Sequence, residues 1–95
     1  MATLSENEIR TALGGLPGWE LADGRITRQY RLSGFPAAVA FVVRLSYAAE
    51  AADHHPDLDI RYDKVRVTLS THSDGGVTSK DLDLASAIEA LRPER

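Results

Sequence analysis

Ninety-five residues with 43% hydrophobic side chains and a formal net charge of −3 suit one small globular domain over 1–95 and argue against disorder. The acidic balance and the lack of a Lys/Arg run disfavour nucleic-acid binding, which needs a basic face. There is no cysteine, hence no disulfide or thiolate metal site, and the start MATLSENEIR and the short apolar run at 35–43 resemble neither a signal peptide nor a membrane span, so a cytoplasmic location is expected.

Ser5-Glu6-Asn7-Glu8 reads as a capping box, with Leu4 and Ile9 as a hydrophobic staple. The helix it opens runs to about Leu13 and stops at Gly14-Gly15. Trp19 to Ala22, Asp23-Gly24 and Arg25 to Leu32 read as a hairpin, because Asp-Gly favours a two-residue turn. In its second strand Ile26, Arg28, Tyr30 and Leu32 share one, mainly apolar face, and Arg25, Thr27, Gln29 and Arg31 share the polar one.

Ser33 is placed to cap a second helix, Pro36 fits its first turn, and the helix continues to about Asp53. Phe35, Ala38, Val39, Val42, Ser46 and Ala49 form one stripe at helical spacing, and Phe41, Leu45, Ala48 and Ala52 form a second beside it. Arg44 is the single charge between Gly34 and Ala49. A helix on a sheet needs one apolar stripe, so the surplus points to burial against another subunit. A helix wedged between sheet and neighbouring helix within one monomer is the alternative.

Leu58, Ile60 and Tyr62 alternate with polar residues, as do Val65, Val67, Leu69 and Thr71, and Asp63-Lys64 stands between them as a turn. Ser73-Asp74-Gly75-Gly76 is a loop. Thr78 caps a last helix with Asp81 at its third position, its inner face is Leu84, Ala85, Ile88 and Leu91, and Pro93 ends it. The element order is αββαββα.

All three histidines lie in EAADHHPDLDIRYDKVRVTLSTHSDGG, residues 50–76. A turn at Asp63-Lys64 sets His72 opposite His55, and Pro56 ends the preceding helix beside them. The three rings are therefore expected in one neighbourhood, with Glu50 one helical turn before His54. Converging imidazoles suit general acid–base chemistry near neutral pH. A three-histidine zinc site is the competing reading, although adjacent histidines make a poor chelating pair. Three surface histidines without a role is the third.

Other arrangements are weaker. Asp74-Gly75-Gly76 is too short for a phosphate loop, and Ser70 and Ser73 flank His72 without a nucleophile elbow. Asp81 is accounted for as a capping carboxylate, whereas Lys80 in the first turn of that helix is not explained by dipole preference.

The pattern Glu50-x-x-x-His54-His55-Pro56, five residues, Tyr62, nine residues, His72, eight residues, Asp81 resembles the signature of the pterin-4a-carbinolamine dehydratases. The words LSTH at 69–72, DLDLA at 81–85 and Gly18-Trp19 also look like that family, and the likeness spans nearly the whole chain. It implies an α+β fold, a two-layer α/β sandwich in which a four-stranded antiparallel sheet carries three helices on one face. It also implies homodimers or homotetramers, with sheets joined edge to edge and central helices bundled. The implied reaction is dehydration of 4a-hydroxytetrahydropterin to quinonoid dihydropterin, with the pterin as substrate and no cofactor or metal. That reaction recycles the cofactor of aromatic amino-acid hydroxylases. By the same resemblance His54 and His72 are the main acid–base pair and His55 contacts substrate. Asp53, Pro56, Ser70, Thr71 and Ser73 are implied to line the pterin pocket, and Glu50, Lys80 and Asp81 to orient histidines or bind the pterin. Some relatives of this kind are dimerisation cofactors of a homeodomain transcription factor or resemble Rubisco assembly factors, so an interaction module is the alternative function.

Overall fold

The computed structural model describes residues 3–93; residues 1–2 and 94–95, the ends of the expected 1–95 domain, lie outside the described residues. Its elements are α1 (Glu6–Leu13), β1 (Glu20–Ala22), β2 (Arg25–Arg31), α2 (Phe35–Ala52), β3 (Asp57–Arg61), β4 (Lys64–Leu69), a 3-10 turn (His72–Asp74) and α3 (Ser79–Ala90). The four strands form one antiparallel sheet in the order β1-β2-β4-β3, with the helices on one face, as expected.

Local chemistry explains most element ends. The Ser5 hydroxyl accepts from the Glu8 N–H while the Glu8 carboxylate accepts from the Ser5 N–H, so the capping box of α1 is present. The Ser5 N–H, with the Ser5 hydroxyl beside it, holds the Glu8 carboxyl below its ordinary value. The β1–β2 turn is Asp23-Gly24, with both residues at positive φ (54° and 72°), the conformation that Asp-Gly adopts most readily. α2 departs from expectation at its start. Gly34, not Ser33, is its N-cap, no side chain caps it, and Phe35-Pro36 form its first turn.

The β3–β4 turn also departs. Leu58 pairs with Val67 and Arg61 with Lys64, so the turn residues are Tyr62 and Asp63 rather than Asp63 and Lys64. Asp63 is held there from β2: its carbonyl accepts from the Leu32 N–H at 2.7 Å and its carboxylate from Arg31 at 3.2 Å. Tyr62 adopts φ 57° to close the turn. Both registers put the same residues on the core face, so the alternation in the sequence could not tell them apart. After Leu69 the chain leaves the sheet, and the Thr71 N–H bonds the Gly76 carbonyl to enclose the 3-10 turn. His72 therefore lies off the ladder and opposite neither His55 nor any strand residue.

The core lies between sheet and helices. Ile26, Tyr30 and Leu32 from β2 and its end, with Val65, Val67 and Leu69 from β4, meet Phe41 and Leu45 of α2 and Leu84, Ala85 and Ile88 of α3, all buried. Arg28 shares the inner face of β2, as its alternation requires. It binds Glu89 at 2.7 Å and stacks 4.5 Å over the Tyr30 ring. Glu89 also accepts from the Tyr30 hydroxyl (2.6 Å) and the Trp19 indole (3.1 Å), so one carboxylate of α3 ties the Gly18-Trp19 loop to β2. Burial, with the Glu89 carboxylate beside it, keeps the Tyr30 phenol protonated far above its ordinary range.

The stripes of α2 sort differently from their sequence grouping. Ala38, Phe41, Leu45 and Ala49 are buried, whereas Phe35 (58%), Val39 (39%), Val43 (50%) and Tyr47 (74%) are exposed on the opposite side. The helix has 18 residues and a mean hydropathy of 1.3, the length and composition of a membrane-crossing segment. Its inner stripe is nevertheless laid on the sheet, as in a core helix, which leaves the outer stripe as surplus apolar surface.

Candidate functional site

The site begins where α2 ends. Asp53 turns left-handed (φ 50°, ψ 44°), its N–H bonds the Glu50 carbonyl and the next N–H, of His54, reaches back to Ala49 at 3.1 Å. This αL closure satisfies the last carbonyls and bends the chain sharply. Adjacent histidines consequently leave on different sides.

His54 turns inward. Its Nε2 lies 2.5 Å from Asp81 Oδ1, with the Asp81 side chain fully buried and the His54 side chain 11% exposed. The other carboxylate oxygen, Oδ2, accepts from the Thr78 N–H at 2.9 Å and the Thr71 hydroxyl at 2.8 Å. Asp81 is thus both the capping carboxylate of α3 and the partner of a histidine from the end of α2. Beside this pair, His54, Ala48, Ala52, Lys80, Asp83 and Leu84 are among the residues lining a groove of about 230 Å³ between α2 and α3. Lys80, unexplained as a helix residue, is placed here.

His55 turns outward and lies 3.0 Å from the exposed Glu50 carboxylate. With Pro56, Ser46, Tyr47 and Leu58 it borders a second, larger groove of about 400 Å³ between α2 and β3. His72 opens the 3-10 turn and is exposed, as is Ser73 beside it, and no hydrogen bond engages the His72 ring among the described residues. Ser70 is half-buried just past β4, and Asp53 is exposed at the close of α2.

Of the expected site residues, the structure sets His54 and Lys80 on one groove, with Asp81 and Thr71 buried in a hydrogen-bonded group behind His54, and His55, Glu50 and Pro56 around another. Thr71 is buried with its hydroxyl turned to Asp81. The chain path links His72 to the first group, since it directly follows Thr71. Among the described residues no group of three His, Cys, Asp or Glu side chains is placed to hold a metal ion. Sequence reasoning missed Thr78 as part of the site, because its capping role already explained it. A histidine ring oriented by a buried carboxylate, open on one side to a small groove, is suited to passing a proton.

The profile of the family described as pterin 4 alpha carbinolamine dehydratase matches residues 2–91. The chain belongs to that family. A Chloroflexus aurantiacus protein named as a candidate pterin-4-alpha-carbinolamine dehydratase is 52% identical over 91 residues, covering 96% of this chain and 98% of that protein. A candidate pterin-4-alpha-carbinolamine dehydratase of Nocardia farcinica is 51% identical over 88 residues, covering 93% of each. Among solved structures, a transcriptional coactivator/pterin dehydratase from Brucella melitensis superposes with a TM-score of 0.91 at 38% identity, over 96% of this chain and 99% of that one. A pterin dehydratase-like protein identified as a RuBisCO assembly factor in the alpha-carboxysome shares the fold, with a TM-score of 0.64 at 17% identity over 81% and 89% of the two chains. Membership of the dehydratase family makes the His54–Asp81 pair the first place to look for its chemistry.

Proposed function

We propose that this protein is a hydro-lyase that dehydrates 4a-hydroxytetrahydropterin to quinonoid dihydropterin by histidine acid–base catalysis. The observation that carries the reading is the His54 ring held by buried Asp81 at the mouth of the α2–α3 groove. In the reaction the C4a–O bond breaks as the N5 lone pair forms the N5=C4a bond, and N5 gives up its proton. Hydroxide is a poor leaving group, so one imidazolium protonates it and water departs. A neutral imidazole takes the N5 proton. The proposed pair is His54 and His72, with His55 contacting substrate; Asp53, Pro56, Ser70 and Ser73 are proposed to line the pterin pocket, and Glu50 and Lys80 to orient histidines or bind the pterin. No cofactor or metal takes part, the setting is cytoplasmic, and the cellular role is recycling the pterin of aromatic amino-acid hydroxylases.

Stopped-flow decay of freshly generated 4a-hydroxytetrahydropterin tests this. The intact protein is expected to accelerate decay, and His54→Ala and His72→Ala each to lose on the order of 10²- to 10⁴-fold. A folded protein that gives no acceleration over buffer would sink the enzymatic reading.

The protein is further proposed to act as a homodimer or homotetramer. Phe35, Val39, Val43 and Tyr47 supply an apolar stripe that a second α2 would cover. Edge strand β3 is self-complementary: antiparallel pairing about Asp59 sets Asp57 against Arg61 and Leu58 against Ile60 of another copy. Analytical ultracentrifugation is expected to show an assembly that Val43→Glu reduces in mass, whereas a monomeric parent protein would refute it. The same stripe supports a second reading, a module that binds a partner protein. The coactivator and assembly-factor relatives make a heterologous partner reasonable, and the decay assay separates it from catalysis.

A further inference from the structure

Asp81 has more partners than a helix cap requires. Capping of α3 is complete with the Thr78 N–H on Asp81 Oδ2 and the Lys80 N–H on the Thr78 hydroxyl at 3.2 Å. Thr71 belongs to another segment, the stretch that leaves β4, yet its buried hydroxyl reaches both Asp81 Oδ2 and the Thr78 hydroxyl at 2.8 Å. The direction of each bond follows from counting protons. An ionised carboxylate only accepts and a hydroxyl carries one proton. Thr71 donates its proton to Asp81, so Thr78 must donate to Thr71, and Thr78 in turn accepts from the Lys80 N–H. At the other oxygen, His54 Nε2 must be the protonated nitrogen. Buried side-chain polar atoms without a partner are absent among the described residues.

We infer that Thr71 and Thr78 are positioning residues: their hydroxyls complete a one-way hydrogen-bond chain ending on Asp81, which holds His54 through Nε2 and leaves Nδ1 as the nitrogen that exchanges a proton with substrate. The inference rests on the dehydratase reading and refines it. In a histidine the hydrogen bond at one ring nitrogen fixes the chemistry of the other. Thr71 fixes Oδ2, which sets the carboxylate plane and turns Oδ1 to His54. The same residue works at its backbone, where its carbonyl accepts from the Asp74 and Gly75 N–H groups at 3.0 Å and closes the turn that begins with His72. Thr71 is therefore tied by side chain to one histidine of the proposed pair and by main chain to the other. Chains of this kind strengthen each bond within them and rigidify the group at their end.

Nitrogen-15 NMR of the histidine rings tests the chain in the resting protein, whether or not it turns over a pterin. The neutral His54 ring is expected as the Nε2–H tautomer with a slowly exchanging proton. An Nδ1–H tautomer in the unaltered protein would overturn the inference at once, without any variant. Thr71→Val removes the hydroxyl at nearly constant shape and is expected to lose the single-tautomer signature. Its kcat for pterin dehydration is expected to fall on the order of 10- to 100-fold with KM within about twofold, the scale of a misaligned reacting group. Thr71→Ser keeps the hydroxyl and is expected to restore both. A Thr71→Val protein that keeps the ring signature and kcat, or loses only thermal stability, would reduce Thr71 to a packing residue. An inactive parent protein with the Nε2–H tautomer intact would instead sink the dehydratase reading and leave the chain standing.

Discussion

Glu89→Ala is expected to destabilise the protein by about 3 kcal/mol, a large fraction of what a small domain has. The Glu89 carboxylate is 14% exposed and accepts from Trp19 Nε1, Tyr30 Oη and Arg28 Nη1 at 3.1, 2.6 and 2.7 Å. Removing it leaves three donors at the edge of the core, each costing about 1–3 kcal/mol if unpaired. Arg28 is 22% exposed and can recover part of its solvation, which holds the total toward the lower end. The Arg28 guanidinium would also lose the anchor that keeps it over the Tyr30 ring and against the Pro17 carbonyl. Urea and thermal unfolding followed by circular dichroism, at fixed protein concentration, read the effect. A fall in Tm of about 12–24 °C is expected for a chain of this size. Glu89→Gln keeps two acceptor lone pairs and the shape, so it should recover more than half of the loss. A Tm within about 3 °C of the parent for Glu89→Ala would show that the hub is redundant.

Asp81→Asn is expected to keep the fold and lose activity on the order of 10²- to 10⁴-fold. The amide oxygen can still accept from Thr71 and Thr78, so the start of α3 and the Thr71 contact survive. The amide nitrogen then faces His54 Nε2 as a donor and can meet only its lone pair. The ring proton is driven to Nδ1, the tautomer opposite to the one Asp81 holds. Asp81→Ala is the contrasting variant. It removes the carboxylate half of the capping box, costing about 1 kcal/mol, and leaves buried donors unpaired, so stability and activity should fall together. Decay of 4a-hydroxytetrahydropterin beside a thermal melt separates the two. An Asp81→Asn protein as active as the parent would show that the carboxylate serves the helix alone.

Much of the fold could be read locally. Ser5 with Glu8, Asp23-Gly24, and Thr78 with Asp81 each specify a helix start or a turn by hydrogen bonds within four residues, and all three stand as expected. Alternation in Ile26, Tyr30 and Leu32 and in Val65, Val67 and Leu69 assigned the buried sheet face correctly. Where the sequence offered two equivalent solutions it could not choose. Tyr62-Asp63 and Asp63-Lys64 place the same side chains inward, and the choice lies with contacts from Leu32 and Arg31, distant in the chain. Ser33 was a reasonable cap by residue type, yet Gly34 stands at the N-terminus of α2 without any side-chain cap. The apolar excess of α2 was visible, but not how its faces divide: the buried line takes Ala38 and Ala49 from one expected stripe and Phe41 and Leu45 from the other, because helical spacing carries no absolute direction.

The candidate site divides in the same way. By itself the sequence determined which residues are available: three histidines within one short segment, a carboxylate at the start of α3, and the spacing that resembles the dehydratase signature. Periodicity and capping could do this because they act over a few residues. Only the tertiary structure decided which of those residues meet. The left-handed close at Asp53 sends His54 toward α3 and His55 toward β3, and the path after Leu69 carries Thr71 under Asp81 while leaving His72 exposed. Those contacts join residues 10 and 27 apart in the chain, and their geometry depends on where whole helices and strands come to rest.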